Sequence, residues 1–158
     1  MKTSWMLAIF AAAVIAITCS QATEEPAKTT ADDMVAVARM VSSFDTFAAD
    51  ADIESFLAYV ADDAVMLPPG ESAIVGKSAI RDWYTAFYAN FSNDMTHEPL
   101  EVDAFGDIIV SRGNATGAMT PKAGGEPIPF DNKYLFVIKR QKDGSLQVWR
   151  AAFNENTR

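Results

Sequence analysis

The sequence predicts an α+β domain in which helices come first and a long antiparallel meander follows. Three observations carry this reading. Apolar residues recur at helical spacing in three segments before residue 92. Beyond residue 95 the pattern changes towards alternation, which is the period of strands. Turn signals then divide that half at Gly106-Asp107, Gly124-Gly125 and Lys142-Asp143-Gly144. Segregated helices and strands are the mark of α+β rather than α/β architecture.

The chain opens with Met1-Lys2 and an uncharged apolar run from Trp5 to Ile17. A bilayer span needs about 20 apolar residues, so this run is too short to cross and matches the apolar region of a secretory signal. Two cleavage readings stay open for residues 1–22. Small residues at Ser20 and Ala22 suit ordinary cleavage after Ala22. Cys19, directly after the apolar run, resembles a bacterial lipoprotein cysteine and is a lipidation candidate, although Ala16-Ile17-Thr18 departs from the usual lipobox. Either reading exports the protein, to the periplasm or to a lipid anchor on the envelope.

Residues 23–31 are polar and read as a linker; residues 32–158 form the domain. The first helix starts at Asp32 or Asp33. Met34, Val37, Met40, Val41, Phe44 and Phe47 make its apolar stripe, and Ala48 to Ala51 break it. Asp52 caps a short second helix, with Ile53, Phe56, Leu57 and Val60 on one face and Asp62-Asp63 at its end. Ala64 to Leu67 is extended, Pro68-Pro69-Gly70 turns the chain, and Ile74-Val75 is a short strand. Gly76 leads into the long helix at about 77–91, where Ile80, Trp83, Tyr84, Phe87, Tyr88 and Phe91 form a wide apolar face. Ser92-Asn93-Asp94 ends it. Strands follow over 95–105, 108–120, 129–140 and 146–154. On them Ile108, Val110, Arg112, Asn114 and Thr116 share one face; so do Asn132, Tyr134, Phe136 and Ile138; and so do Trp149, Ala151 and Phe153.

Composition limits the function. The formal charge is −8 at pH 7, with 13 Lys and Arg against 21 Asp and Glu. That disfavours nucleic acid, whose phosphates need a basic face. With Cys19 the only cysteine, the domain holds no disulfide and depends on core burial. There is one His and no metal-ligand spacing, so neither a metal site nor another cofactor is predicted. A nucleophilic triad finds no G-x-S-x-G, and no glycine loop cradles a phosphate.

The words D-I-E-x-x-x-x-Y, A-D-D-A, a Pro/Gly turn and G-K-x-A-I-R-x-W-Y, over residues 52–84, resemble the NTF2-like superfamily. They are most similar to its SnoaL-like and DUF4440-like group, which is related to ketosteroid isomerases, and the resemblance covers about residues 32–156. It implies a cone: a strongly curved sheet around three N-terminal helices, with a pocket at the open end. It also implies where an isomerase would keep its base, its oxyanion tyrosine and its protonated aspartate. Those positions fall on Pro68, Phe44 and Phe136, so all three groups are replaced.

The candidate pocket residues are therefore mostly aromatic: Phe44, Phe47, Trp83, Phe87, Tyr134, Phe136, Trp149 and Phe153. Two polar residues are candidates to orient a ligand. His97 is a possible general base near neutral pH, set against the commoner role of a surface histidine. Arg112 is a possible carboxylate clamp, set equally against an outward or ion-paired arginine. Asp131 and Lys133 read as an exposed ion pair, and Asn154 and Asn156 as cap, turn or cavity-mouth residues. Such a pocket, apolar with one cationic end, suits an aromatic or terpenoid-like acid. The leading expectation is a module that binds a small apolar or amphipathic molecule. A SnoaL-like proton-transfer enzyme and a dimerisation domain are the alternatives. Leu135, Val137 and Val148 are expected to face away from the cavity and to favour a homodimer.

Overall fold

A computed structural model describes residues 29–156. The apolar leader, Cys19 and the cleavage position after Ala22 lie outside the described residues.

Helix α1 spans Ala31–Asp50. Its cap is Thr30, not Asp32 or Asp33. The Thr30 hydroxyl accepts from the Asp33 backbone while the Asp33 carboxylate accepts from Thr30, a reciprocal capping box. Asp33 also pairs with Arg140. Val37, Met40, Val41, Phe44 and Ala48 are buried along one face, whereas Met34 is 55% exposed at the helix start. Ala51 takes a left-handed φ of 54°, which ends α1 and lets Asp52 cap α2, Ile53–Ala58.

The bonds from Thr30, backbone first and hydroxyl second, hold Asp33 below its ordinary pKa of about 3.8; burial opposes them and Arg140 assists. A depressed carboxylate contributes stability above its unfolded pKa and loses it as pH falls through the folded value. Thr30→Ala is therefore expected to cost about 1 kcal/mol near neutral pH. Thermal denaturation should show that cost shrinking once Asp33 is protonated; a loss independent of pH would contradict the capping box.

Strand β1 is Val60–Leu67, so Val60 belongs to the sheet rather than to the helical stripe. The cause is parallel pairing: Val60 registers with Val148, whose N–H donates to the Tyr59 carbonyl at 2.7 Å. Strand β2 is Ile74–Val75, and α3 is Lys77–Asn90. The remaining strands are β3 Phe91–Phe105, β4 Ile108–Pro121, β5 Ile128–Arg140 and β6 Leu146–Glu155. Ser92-Asn93-Asp94, expected as a helix stop, are already strand. Their partners Thr120, Met119 and Ala118 extend the ladder to the end of α3, and pairing overrides the turn propensity.

The six strands run in the order β2-β1-β6-β5-β4-β3, antiparallel except for the β1–β6 pair. The sheet curves around α1. Val37, Val41 and Phe44 pack on Ile109, Ile138 and Phe136, and a second cluster joins α2, α3 and β1 through Leu57, Ile80 and Met66. The curve depends on small residues in β4. A Cβ at Gly113 would overlap the Glu98 carbonyl and lie 2.6 Å from Tyr134 Oη; one at Gly117 would overlap the Asp94 carbonyl. Strand β3 can coil onto β4 only because those side chains are missing.

Inward parity decides which side chains reach the interior. In β4 the buried set is Ile109, Ser111, Gly113 and Ala115. The face holding Ile108, Val110 and Arg112 is therefore the outer one, which corrects the expectation for Arg112. In β6 the register shifts between Val148 and Arg150, leaving Trp149 as the extra residue of a bulge. The bulge changes parity: Val148 faces in, and then Ala151 and Phe153. Two expectations are corrected by it. Val148 is buried against the interior rather than outward, and Trp149 leaves the inner face. Leu135 does stand outward, 45% exposed.

Candidate functional site

The helices and the concave sheet enclose an open-ended cavity of about 400 Å³. Its walls are aromatic. Phe44 and Phe47 come from α1, Trp83 and Phe87 from α3, Tyr134 and Phe136 from β5, and Phe153 from β6. Helix α3 turns its face here because i, i+4 spacing stacks its rings. Trp83 and Phe87 lie parallel with centroids 5.7 Å apart, and Phe87 stacks on Phe91 at 5.5 Å. Pro68, Phe44 and Phe136, the positions that replace the isomerase groups, all line this cavity and bring no titratable side chain to it.

His97 does. Its side chain is only 6% exposed, and it sits among Phe44, Tyr134 and Phe136, with ring centroids at 6.4, 5.3 and 6.1 Å. The Asp45 carboxylate of α1 meets His97 Nδ1 at 2.6 Å and also accepts the His97 backbone N–H at 3.2 Å. A carboxylate accepts here, so in the neutral ring this contact puts the proton on Nδ1 and leaves Nε2 as the acceptor. His97 lines the cavity, and Nε2 is the nitrogen left to serve it. An orienting carboxylate behind a histidine is the arrangement of a general base with a fixed tautomer.

Tyr134 Oη and Ser111 Oγ are buried behind the same wall with no hydrogen-bond partner. Burial pushes the Tyr134 phenol up, the Ser111 hydroxyl nearby opposes that, and Asp45 adds to it. Burial also pushes the Tyr84 phenol up, with Tyr88 adding to the shift. Both tyrosines therefore stay neutral throughout the physiological range.

Two predicted pocket residues are elsewhere. Arg112 is exposed and gives Nε and Nη2 to the Glu101 carboxylate opposite it on β3. Trp149 packs outside, its Nε1 2.9 Å from Asp63 and its ring flanked by Lys139 Nζ at 3.8 Å and the Arg150 guanidinium at 3.9 Å. Asp131 accepts from Asn156 at 2.8 Å, and Lys133 donates to the Glu155 backbone at 3.1 Å, so those two do not pair with each other. The cationic end expected of the cavity is thus absent from its lining. Among the described residues that lining holds the carboxylates Asp52, Glu71 and Glu155 and the imidazole of His97. Among the described residues no group of three or more His, Cys, Asp or Glu could hold a metal ion.

Asp45 is the residue that sequence reasoning missed. It follows Phe44 and stands four residues after Val41, so it borders the buried stripe of α1. An acidic residue at the edge of an apolar stripe was the available signal; its partner lies 52 residues away and only the fold joins them.

The SnoaL-like domain family matches residues 37–149. The chain belongs to the SnoaL-like domain family. Solved structures agree in fold, and this SnoaL-like chain sits within the NTF2-like superfamily. A ketosteroid isomerase-like protein from Erwinia carotovora atroseptica is 26% identical, with a TM-score of 0.73 over 82% of this chain and 100% of its own. A conserved protein from Planctomyces limnophilus is 17% identical, with a TM-score of 0.73 over 79% and 98%. A candidate scytalone dehydratase from Novosphingobium aromaticivorans is 12% identical, with a TM-score of 0.74 over 80% and 85%. A search of curated proteins finds no match. The SnoaL-like domain thus accounts for the cone, while the Asp45–His97 pair is read from this chain's own geometry.

Proposed function

We propose that this SnoaL-like domain binds a small, largely apolar molecule in its cone and moves a proton on it with His97. The observation that carries the reading is the Asp45–His97 pair set in an aromatic wall, with Nε2 left for the cavity. In the forward step Nε2 takes a proton from a C–H beside an activating group. The electron pair shifts into a new double bond, and Asp45 holds the imidazolium that forms. Return of that proton to another carbon completes an isomerisation. Its delivery to a departing hydroxyl releases water and completes a dehydration. Both need no cofactor. The fold neighbours bearing ketosteroid isomerase-like and scytalone dehydratase names are consistent with such chemistry.

Hydrophobic ketones and β-hydroxy ketones, incubated in D₂O and followed by proton NMR, test the reading. Exchange, isomerisation or loss of water that disappears in His97→Ala supports it. Saturable binding with no change in any substrate would return the protein to a binding module.

Export and self-association belong to the same reading. The run from Trp5 to Ile17 supports export, and intact mass of the mature protein would show residues 1–18 or 1–22 removed. Leu135 on the outer sheet face supports a homodimer, which strict monomer sedimentation at tens of micromolar, on the order of ordinary dimer affinities, would refute.

A further inference from the structure

The geometry points to an amine-bearing ligand: an apolar molecule whose protonated nitrogen sits at the cavity mouth beside Glu71 and Asp52. This deepens the proposed function and rests on the cavity being a ligand site. The buried end of the cavity is built from Phe44, Tyr134 and Phe136, while Asp52, Glu71 and Glu155 are exposed at its solvent end. Among the described residues no lysine or arginine lines it.

The nearby cations are engaged with other groups. Arg81 pairs with Glu54, and Lys77 with Asp62. Lys133 reaches the Glu155 backbone oxygen, so it offsets Glu155 at the rim. Among the described residues the charge left without a cation is therefore that of Glu71 and Asp52. Asp52 spends one oxygen on the Ser55 N–H as the α2 cap. Glu71 accepts the Trp83 indole N–H at 3.0 Å through Oε2, which fixes the carboxylate beside the ring and leaves Oε1 free.

Two forces then favour a cation at that place. A carboxylate attracts an ammonium with a charge-assisted hydrogen bond. Aromatic faces attract it through their quadrupole, and Trp83, Tyr84 and Phe56 cluster here with centroid spacings of 5.0 and 4.8 Å. An independent observation says that the cavity is built for a ligand. Tyr134 lines it, is 4% exposed, and keeps a buried hydroxyl with no hydrogen-bond partner among the described residues. A carboxylate-bearing ligand would meet the acidic mouth with no cation to receive it.

Calorimetric titration with 2-naphthylmethylamine, 2-naphthalenemethanol and 2-naphthoate tests this, because the three share a ring and differ in charge. The amine is expected to bind about tenfold tighter than the carboxylate at low salt, with the alcohol between them. That preference should shrink as added salt screens the mouth. Glu71→Gln should weaken the amine several-fold, through loss of the charge-assisted contact, and leave the alcohol unchanged. Equal or tighter binding of the naphthoate overturns the inference, and so does an equal effect of Glu71→Gln on amine and alcohol. In both cases the ligand-pocket reading survives. If none of the three binds, the inference and the pocket reading fall together. The effect of His97→Ala on turnover bears on neither outcome.

Discussion

His97→Ala is expected to leave ligand affinity within a few-fold and to lower proton-transfer turnover by about 10²–10⁴-fold, the usual contribution of a positioned general base. The split follows from the site. The aromatic wall supplies most of the contact area and does not depend on the imidazole. Asp45→Asn should show a smaller loss of turnover. The amide can still accept from Nδ1, but it carries no charge to stabilise the imidazolium. Comparing kcat with KM for wild type and both variants on one turned-over ketone checks this. Equal losses in KM with kcat unchanged would make His97 a binding residue and overturn the assignment of a base.

Gly117→Ala is expected to destabilise the fold by about 3 kcal/mol, the upper end of what overpacking costs. The methyl group would overlap the Asp94 carbonyl of the paired strand. That oxygen is backbone, so no side-chain rotation relieves the clash and the β3–β4 ladder itself must open. Typical domains hold only about 5–15 kcal/mol in all, so such a loss is easily read in a urea titration. The same movement would displace the end of the strand that carries His97. A variant within about 0.5 kcal/mol of wild type, the range of neutral surface changes, would mean that the strands do not approach so closely.

Much of this fold was legible in the chain because local and tertiary preferences agree. The stripe Val37–Val41–Phe44 buries where its spacing says, the face Ile80–Trp83–Tyr84–Phe87 lines the cavity with Ile80 buried and the three rings half-buried, and the glycine turns divide the sheet as expected. What was not legible depends on register. Trp149 has the same alternation as Ala151 and Phe153, and only the extra residue in the ladder turns it outward. Arg112 shares its face with Val110, and nothing local says that the neighbouring Ser111, Gly113 and Ala115 make the inner one. Small inward residues are the price of a tightly coiled sheet, and they invert the habit of reading large apolar residues as core. For the site, the aromatic lining could be read from the residues, but the Asp45–His97 contact could not, since it joins two elements that meet only in the folded chain.

That contact is also open to direct measurement, because His97 is the only histidine in the chain. A long-range ¹H–¹⁵N NMR spectrum of the labelled protein reports its tautomer without interference. The two ring nitrogens of histidine are inequivalent and the neutral ring protonates only one of them, so the two arrangements are distinguishable. The Asp45–His97 contact predicts Nδ1 protonated and Nε2 bare in the neutral ring, a shift of the Nε2 resonance when a ligand enters the cavity, and loss of the fixed tautomer in Asp45→Ala. A neutral ring protonated on Nε2, unmoved by ligand and by the Asp45 substitution, would contradict it.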